Sequence, residues 1–357
     1  MTRVTGGGFA GVLHPFEAPP AEGEAVELAD GVLWLRLPLP MKLDHVNCFA
    51  LAEDAAQGGG WTIIDTGFSS RRGKAIWQAL LNGPLAGRRV SRVIATHHHA
   101  DHIGLAGWFQ DHGAELWTSR TAWLFARMLS LDEQPLPVPQ QVDFWRKAGM
   151  DPALLARRMA ERPFNAADVV HALPLGYRRL VEGQSLRMGG RDWVVRMGNG
   201  HAPEHVTLWD QSDDLVIGGD QLLPRISPNL GVYPTEPLAD PVGEWMESCA
   251  RLMAHAREGQ LVLPGHNMPF TGLPGRLRQM HDNHVTALDR LAASLAENPR
   301  PAAACFDVLY KRRIGDGEYG LALVEAVGHV NHLFHQGRVA AAGLTAEGAV
   351  IWQGTPR

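Results

Sequence analysis

The chain has 357 residues, 45% of them hydrophobic and 20% charged, with a formal net charge of −5. This is ordinary for a soluble globular protein with a sizeable core, and the negative balance excludes a general attraction for phosphate backbones, leaving only a local basic patch open. Cys48, Cys249 and Cys305 form no Cys-x-x-Cys pair, and no stretch nears the ~20 apolar residues that span a bilayer, so neither a disulfide framework nor a membrane span is expected.

The N-terminal MTRVTGGGFAGVLHPFEAPP has no charged head before a long apolar run and does not read as a signal peptide, so a cytoplasmic protein is expected. Strands are predicted at 32–37 and 47–51, then at 61–67, an apolar run ending in Asp65-Thr66-Gly67. A further strand at 91–96 runs into a histidine cluster, and helical spacing over 102–112 follows, with Asp101 placed to cap it. Residues from about 119 to 168 read as a helical insert, with helices at 119–130, 140–148 and 151–161 around Pro135, Pro137 and Pro139. Strands resume at 193–197, 206–209 and 215–219, the last ending at Asp220. A helix at 241–257, a strand at 261–264 leading into His266 and a long helix over 275–298 complete the first part. Asn298-Pro299-Arg300-Pro301 is a natural break. Beyond it, helices at 302–311 and 319–336 and a hairpin at 337–353 have the order of a winged helix. The domains expected are 1–298 and 299–357.

The chain has 17 histidines, and four of them fall within Thr96-His97-His98-His99-Ala100-Asp101-His102. Histidine is the commonest side-chain metal ligand. Alternate residues of an extended segment point the same way, so His97 and His99 can reach one metal, and Asp101 and His102 turn towards a second. His201, Asp220 and His266 stand at later strand ends, each beside a glycine that lets the backbone approach closely. His98 is expected to point into the fold and His205 to anchor a loop. The remaining histidines, His45 among them, carry no ligand spacing. Asp65 is expected to orient a ligand histidine or its loop rather than to bind metal.

These motifs, D-T-G, H-x-H-x-D-H, then a later His, Asp and His, resemble in order those of the metallo-β-lactamase-fold superfamily of hydrolases, over roughly residues 30 to 285. The resemblance implies a four-layer αββα sandwich, here with the helical insert and the C-terminal winged helix. It implies that His97, His99 and His201 hold one metal, that Asp101, His102 and His266 hold another, and that Asp220 bridges them. Mixed nitrogen and oxygen ligands suit two divalent ions, zinc first, with iron or manganese as alternatives. A hydroxide held between the metals would be the nucleophile, and Asp101 could take its proton. No G-x-S-x-G elbow competes with this. An aspartate at position 220 counts against a dedicated lactamase. T-H-H-H-A-D-H-I-G is similar to the glyoxalase II motif, whereas the tail, the 226–234 loop and P-G-H-N-M-P-F are more similar to the β-lactamase-like protein 2 group.

Hydrolysis of a small ester, thioester or lactone is the leading expectation. Cleavage of single-stranded RNA or another phosphodiester is the alternative, resting on the winged-helix resemblance and a modest basic cluster of Lys311, Arg312, Arg313 and Arg338. A metal-binding module without catalysis is the third and weakest. Ser227, Asn229 and Tyr233 are candidate substrate contacts, and Trp123, Phe125 and Met128 candidate lid residues or simple helix packing. A homodimer is left open, as is the choice between nucleic-acid binding and packing for the tail.

Overall fold

Arg191–Gly198 alternates exposed or half-buried positions with buried Trp193, Val195 and Met197, as a strand with one face in a core should. In the computed structural model, which describes residues 11–310 and 312–355, it lies in the second of two sheets. Residues 1–10, which carry half of the segment read for a signal peptide, and Lys311 of the basic cluster lie outside the described residues.

The first sheet runs in chain order through β1 (Val26–Ala29), β2 (Val32–Pro38), β3 (His45–Ala52), β4 (Trp61–Ile64), β5 (Val90–Ile94), β6 (Glu115–Thr118) and β7 (Arg178–Arg179). Pairing is antiparallel from β1 to β4 and parallel from β4 to β7. The second comprises β8 (Ser185–Met188), β9 (Arg191–Gly198), β10 (His205–Asp210), β11 (Leu215–Gly219) and β12 (Leu261–Pro264), in the order β12-β11-β10-β9-β8, parallel only between β11 and β12. Trp34, Phe49, Leu51, Ile64 and Ile94 of the first sheet pack with Trp193, Val195, Leu208, Ile217 and Leu263 of the second in one core. Burying each such side chain contributes about 1.5–3 kcal/mol.

The other face of the first sheet packs Leu35, Cys48, Ala50 and Ile63 against helix α1 (Arg71–Asn82) through Ile76, Trp77 and Leu80. The helix has no counterpart among the elements expected from the sequence. Ser70 caps α1, its hydroxyl accepting from the Gly73 N–H at 2.9 Å. The helix expected over 102–112 is two short ones, α2 (Ala100–Ile103) and α3 (Ala106–Asp111). The reason is steric and polar together. Gly104 packs against the carbonyls of Gly67 and Val169, and Leu105 N–H donates to Thr66 Oγ1 at 2.9 Å rather than continuing the helix. Asp101 does not cap either helix: His99 holds the position before α2, and the Asp101 carboxylate is left for other work.

The remaining helices are α4 (Arg120–Leu131), α5 (Pro139–Lys147), α6 (Pro152–Ala160), α7 (Pro241–Met253), α8 (Leu273–Glu297), α9 (Phe306–Tyr310) and α10 (Asp316–His335), with a hairpin of β13 (Val339–Leu344) and β14 (Val350–Gly354). Among the described residues, no helix is long and apolar enough to cross a membrane.

The chain divides into two compact units. One runs to Glu133 and takes in Asn165–Pro228 and Leu252–Leu277, and so holds both sheets. The other comprises Gln134–Phe164, Asn229–Arg251 and the chain from Arg278. The helix, helix, hairpin order is present after residue 299, and those residues share a unit with the middle of the helical segment. The reason is packing within that unit, where Ala148 and Met150 bury against Leu323 beside Phe306 and Tyr319, and Phe144 against Val232 and Val324.

Candidate metal centre

The strand β5 ends at Ile94, and the extended residues after it carry His97 and His99, whose Nε2 and Nδ1 approach to 3.0 Å. His201 completes one group of nitrogens that could hold a metal ion. Asp101, His102 and His266 form another, and His97, His102 and Asp220 a third that overlaps both. Within each group the ligand atoms all lie within 4.8 Å of one another. The seven side chains read from the motifs therefore converge. Asp220 sits between the sets, with Oδ1 3.4 Å from His102 Nε2 and Oδ2 3.4 Å from His201 Nε2 and 3.2 Å from His266 Nε2. Asp101 Oδ2 stands 3.5 Å from His102 Nε2 and 3.4 Å from His266 Nε2.

A surrounding layer of hydrogen bonds aims these rings. Asp65, at φ +56°, accepts from the Thr96 N–H (2.8 Å), from Thr96 Oγ1 (2.9 Å) and from His102 Nδ1 (2.8 Å). Because the Thr96 hydroxyl proton is used on Asp65, its oxygen can accept from His97 Nδ1 at 3.0 Å, which leaves the His97 Nε2 lone pair facing the cluster. His266 Nδ1 donates to the His45 carbonyl at 2.7 Å, so its Nε2 also faces inward. His205 is stacked on His97, with centroids 4.6 Å apart, and its Nε2 accepts the Asp220 N–H at 3.1 Å. That lone pair is spent on the backbone, so His205 anchors the Asp220 turn. His98 turns its ring to Phe125, 5.1 Å away.

Two glycines make the approach feasible. Gly219 holds φ +49° with the His205 ring where a side chain would stand. A Cβ on Gly265 would meet the Asp220 carboxylate and come within 2.8 Å of His102 Cε1.

Several positioning residues carried no local signal. Asn47, fully buried in β3, donates from Nδ2 to the carbonyls of Pro264 (2.9 Å) and Asn267 (2.7 Å) and accepts from Trp34 Nε1 (2.9 Å). His45 Nε2 accepts from the N–H of Asn267, which stands at φ +68°. Together they clamp the loop that carries His266. Glu204 ties the His201 loop to the start of α4 by accepting from the Thr121 N–H at 2.8 Å and from its hydroxyl at 2.5 Å.

Electrostatics divide the cluster in two. Burial, reinforced by neighbouring histidines, holds His97 and His99 well below the usual imidazole range, so both are neutral with lone pairs available. Burial also opposes charge on His102 and His266, but Asp220 and Asp101 outweigh it, assisted at His102 by Asp65. His102 is carried well above the usual range and His266 to about 10. Burial likewise pushes the two carboxyls up, yet His102 and His266 hold Asp101 below and Asp220 well below the usual range. Protons thus stand where cations would. His102 Nε2 and Asp220 Oδ1 are buried and face each other at 3.4 Å without a well-formed hydrogen bond, a costly state that a bound cation would resolve. Five imidazoles and two carboxylates in this arrangement fit divalent ions.

Ser227, Asn229 and Tyr233 do not belong to the ligand groups. Asn229 Nδ2 donates to the Leu321 carbonyl (3.1 Å) and Glu325 Oε2 (3.0 Å) in the second unit, while Ser227 and Tyr233 are exposed.

Two facing sheets and this donor set at their strand ends define a metallo-hydrolase. The chain belongs to the metallo-beta-lactamase superfamily, whose family description matches residues 41–266. It is 24% identical over 318 residues, 85% of this chain and 92% of the relative, to the probable metallo-hydrolase YqjP of Bacillus subtilis (strain 168). Among solved structures it is similar to a beta-lactamase domain protein from Burkholderia ambifaria, with 33% identity, a TM-score of 0.86 and coverage of 96% of this chain and 97% of that one. A metallo-beta-lactamase family protein from Thermus thermophilus shares the fold at 22% identity and a TM-score of 0.75, over 92% of this chain and all of that one (100%).

Proposed function

We propose that this metallo-hydrolase cleaves an ester, thioester or lactone bond of a small molecule, using two divalent metal ions, zinc first. His97, His99 and His201 would hold one ion and Asp101, His102 and His266 the other, with Asp220 shared. The observation that carries this reading is the placement of Asp220, whose two oxygens face different histidines. Bound metal would supply Lewis acidity and lower the pKa of water towards neutrality. Asp101 is ionised, so it can accept a proton from the attacking water as the intermediate forms. Asp65, Thr96 and His45 keep Nδ1 protons on His102, His97 and His266, which fixes the tautomer that offers Nε2 to a cation.

The RNA alternative loses electrostatic footing. Arg312 is paired through both terminal nitrogens with Glu318, at 2.9 Å each, and Arg338 with Asp289 at 2.8 Å, so these cations are already answered. Cys48, Cys249 and Cys305 are free and buried, which supports a reducing, cytoplasmic setting.

A hydrolysis panel on the metal-loaded chain tests the assignment, with short-chain esters, acyl-coenzyme A, S-lactoylglutathione, homoserine lactones and single-stranded RNA. Turnover of at least one carbonyl substrate and none of RNA is expected. RNA cleavage alone, lost in Asp220→Ala, would replace the proposal with the phosphodiester reading.

A further inference from the structure

Helix α4 exposes more apolar surface than its packing requires. Its packed side consists of buried Ala122 and Ala126, Trp123 stacked on Tyr177 with centroids 4.9 Å apart, and Arg127, which donates to the Leu173 carbonyl at 2.6 Å. Trp123 is therefore packing and not a lid. Away from that side stand Leu124, Met128, Leu129 and Leu131, exposed by 52, 42, 37 and 69%. Single exposed apolar residues are common, but four on one face of a 12-residue helix make a patch.

The patch borders two residues that touch the loops carrying the candidate ligands. At roughly 100° per residue, Thr121 and Phe125 fall inside the arc between Leu131 and Leu129. These two residues are α4's links to the ligand loops. Thr121 reaches the His201 loop through Glu204, and Phe125 lies against His98, whose ring is 4.7 Å from that of His99. The arc thus starts beside the cluster and runs away from it for about 9 Å, from Phe125 to Leu131. Apart from Arg120 at its N-terminal edge, its residues carry no ionisable group, which suits an apolar chain and not a polyanion.

Resting on the carbonyl-ester reading above, we infer that this face of α4 is a subsite for the apolar acyl chain of the substrate. The scissile carbonyl would stand at the cluster and the chain would lie over Phe125, Leu124, Met128 and Leu131. A second copy of the chain is the weaker occupant, because four side chains fall far short of the ~800 Å² per partner of a standard interface.

The test is a series of p-nitrophenyl esters from acetate to decanoate on the metal-loaded full chain. We expect kcat/KM to rise about two- to fourfold per added methylene before levelling off. The triple variant Leu124→Ser/Met128→Ser/Leu131→Ser should collapse the decanoate-to-acetate ratio, whereas Leu175→Ser, an exposed leucine outside the arc, should preserve it. A flat series in the wild type, or an unchanged ratio in the triple variant, overturns the subsite. So does a triple variant that only turns a dimer into a monomer in sedimentation. If no ester is turned over, the ester reading fails by itself and calorimetric titration with decanoate reads the subsite directly. Binding lost in the triple variant then supports it, and no binding to the wild type overturns it.

Discussion

Asp220→Ala is expected to bring hydrolysis to background and to lower metal content, with a loss larger than the roughly 10–100-fold of an outer-shell partner. One carboxylate faces His102, His201 and His266 at 3.2–3.4 Å, so its removal withdraws an anion from every ligand group at once. Asp65→Asn gives the contrast. It keeps a polar group against Thr96 but no longer stabilises the His102 Nδ1 proton as an anion does, and its cost should stay within the outer-shell range. Steady-state kinetics beside metal analysis separates the two. Equal, mild losses in both variants would remove Asp220 from its shared role.

Metal loading of the metal-free chain is expected to release protons at pH 7. The sign follows from the charge of the cluster. His102 stands well above 6.5 and His266 at about 10, so both carry an Nε2 proton at neutral pH in the absence of metal. Ligation needs that position deprotonated. Protons therefore compete with metal, and the apparent affinity should fall by about tenfold per displaced proton for each unit that pH drops below the metal-free pKa. His97 and His99 add nothing to this release, because burial keeps them neutral already. Calorimetry in buffers of different ionisation enthalpy measures the number. Affinity that is flat between pH 6 and 8 would mean that the cluster does not bind through His102 and His266.

The candidate ligands were legible because their information is local. His97, His99, Asp101 and His102 share one turn of chain after a strand, and Asp65, His201, Asp220 and His266 each stand at a strand end beside glycine or threonine. What aims them was not legible, since it depends on contacts far apart in sequence. Asn47 and His45 reach the His266 loop across some 220 positions, and Thr121 meets Glu204 across 83. The same limit applies to Arg312 and Arg338 of the basic cluster, which look uncompensated until Glu318 and Asp289 fold against them. Periodicity alone merged α2 with α3, because it cannot register that Thr66 captures the Leu105 N–H. The Asn229 amide is bonded to Glu325 and the Leu321 carbonyl of α10 across more than 90 positions, contacts that no local pattern announces.

Metal dependence is measured by elemental analysis of the chain purified without chelator, combined with activity before and after chelation. The protein is expected to carry about two divalent ions per chain, zinc foremost, with activity lost on their removal and restored on their return. A chain that carries no metal and retains full hydrolytic activity would contradict that expectation.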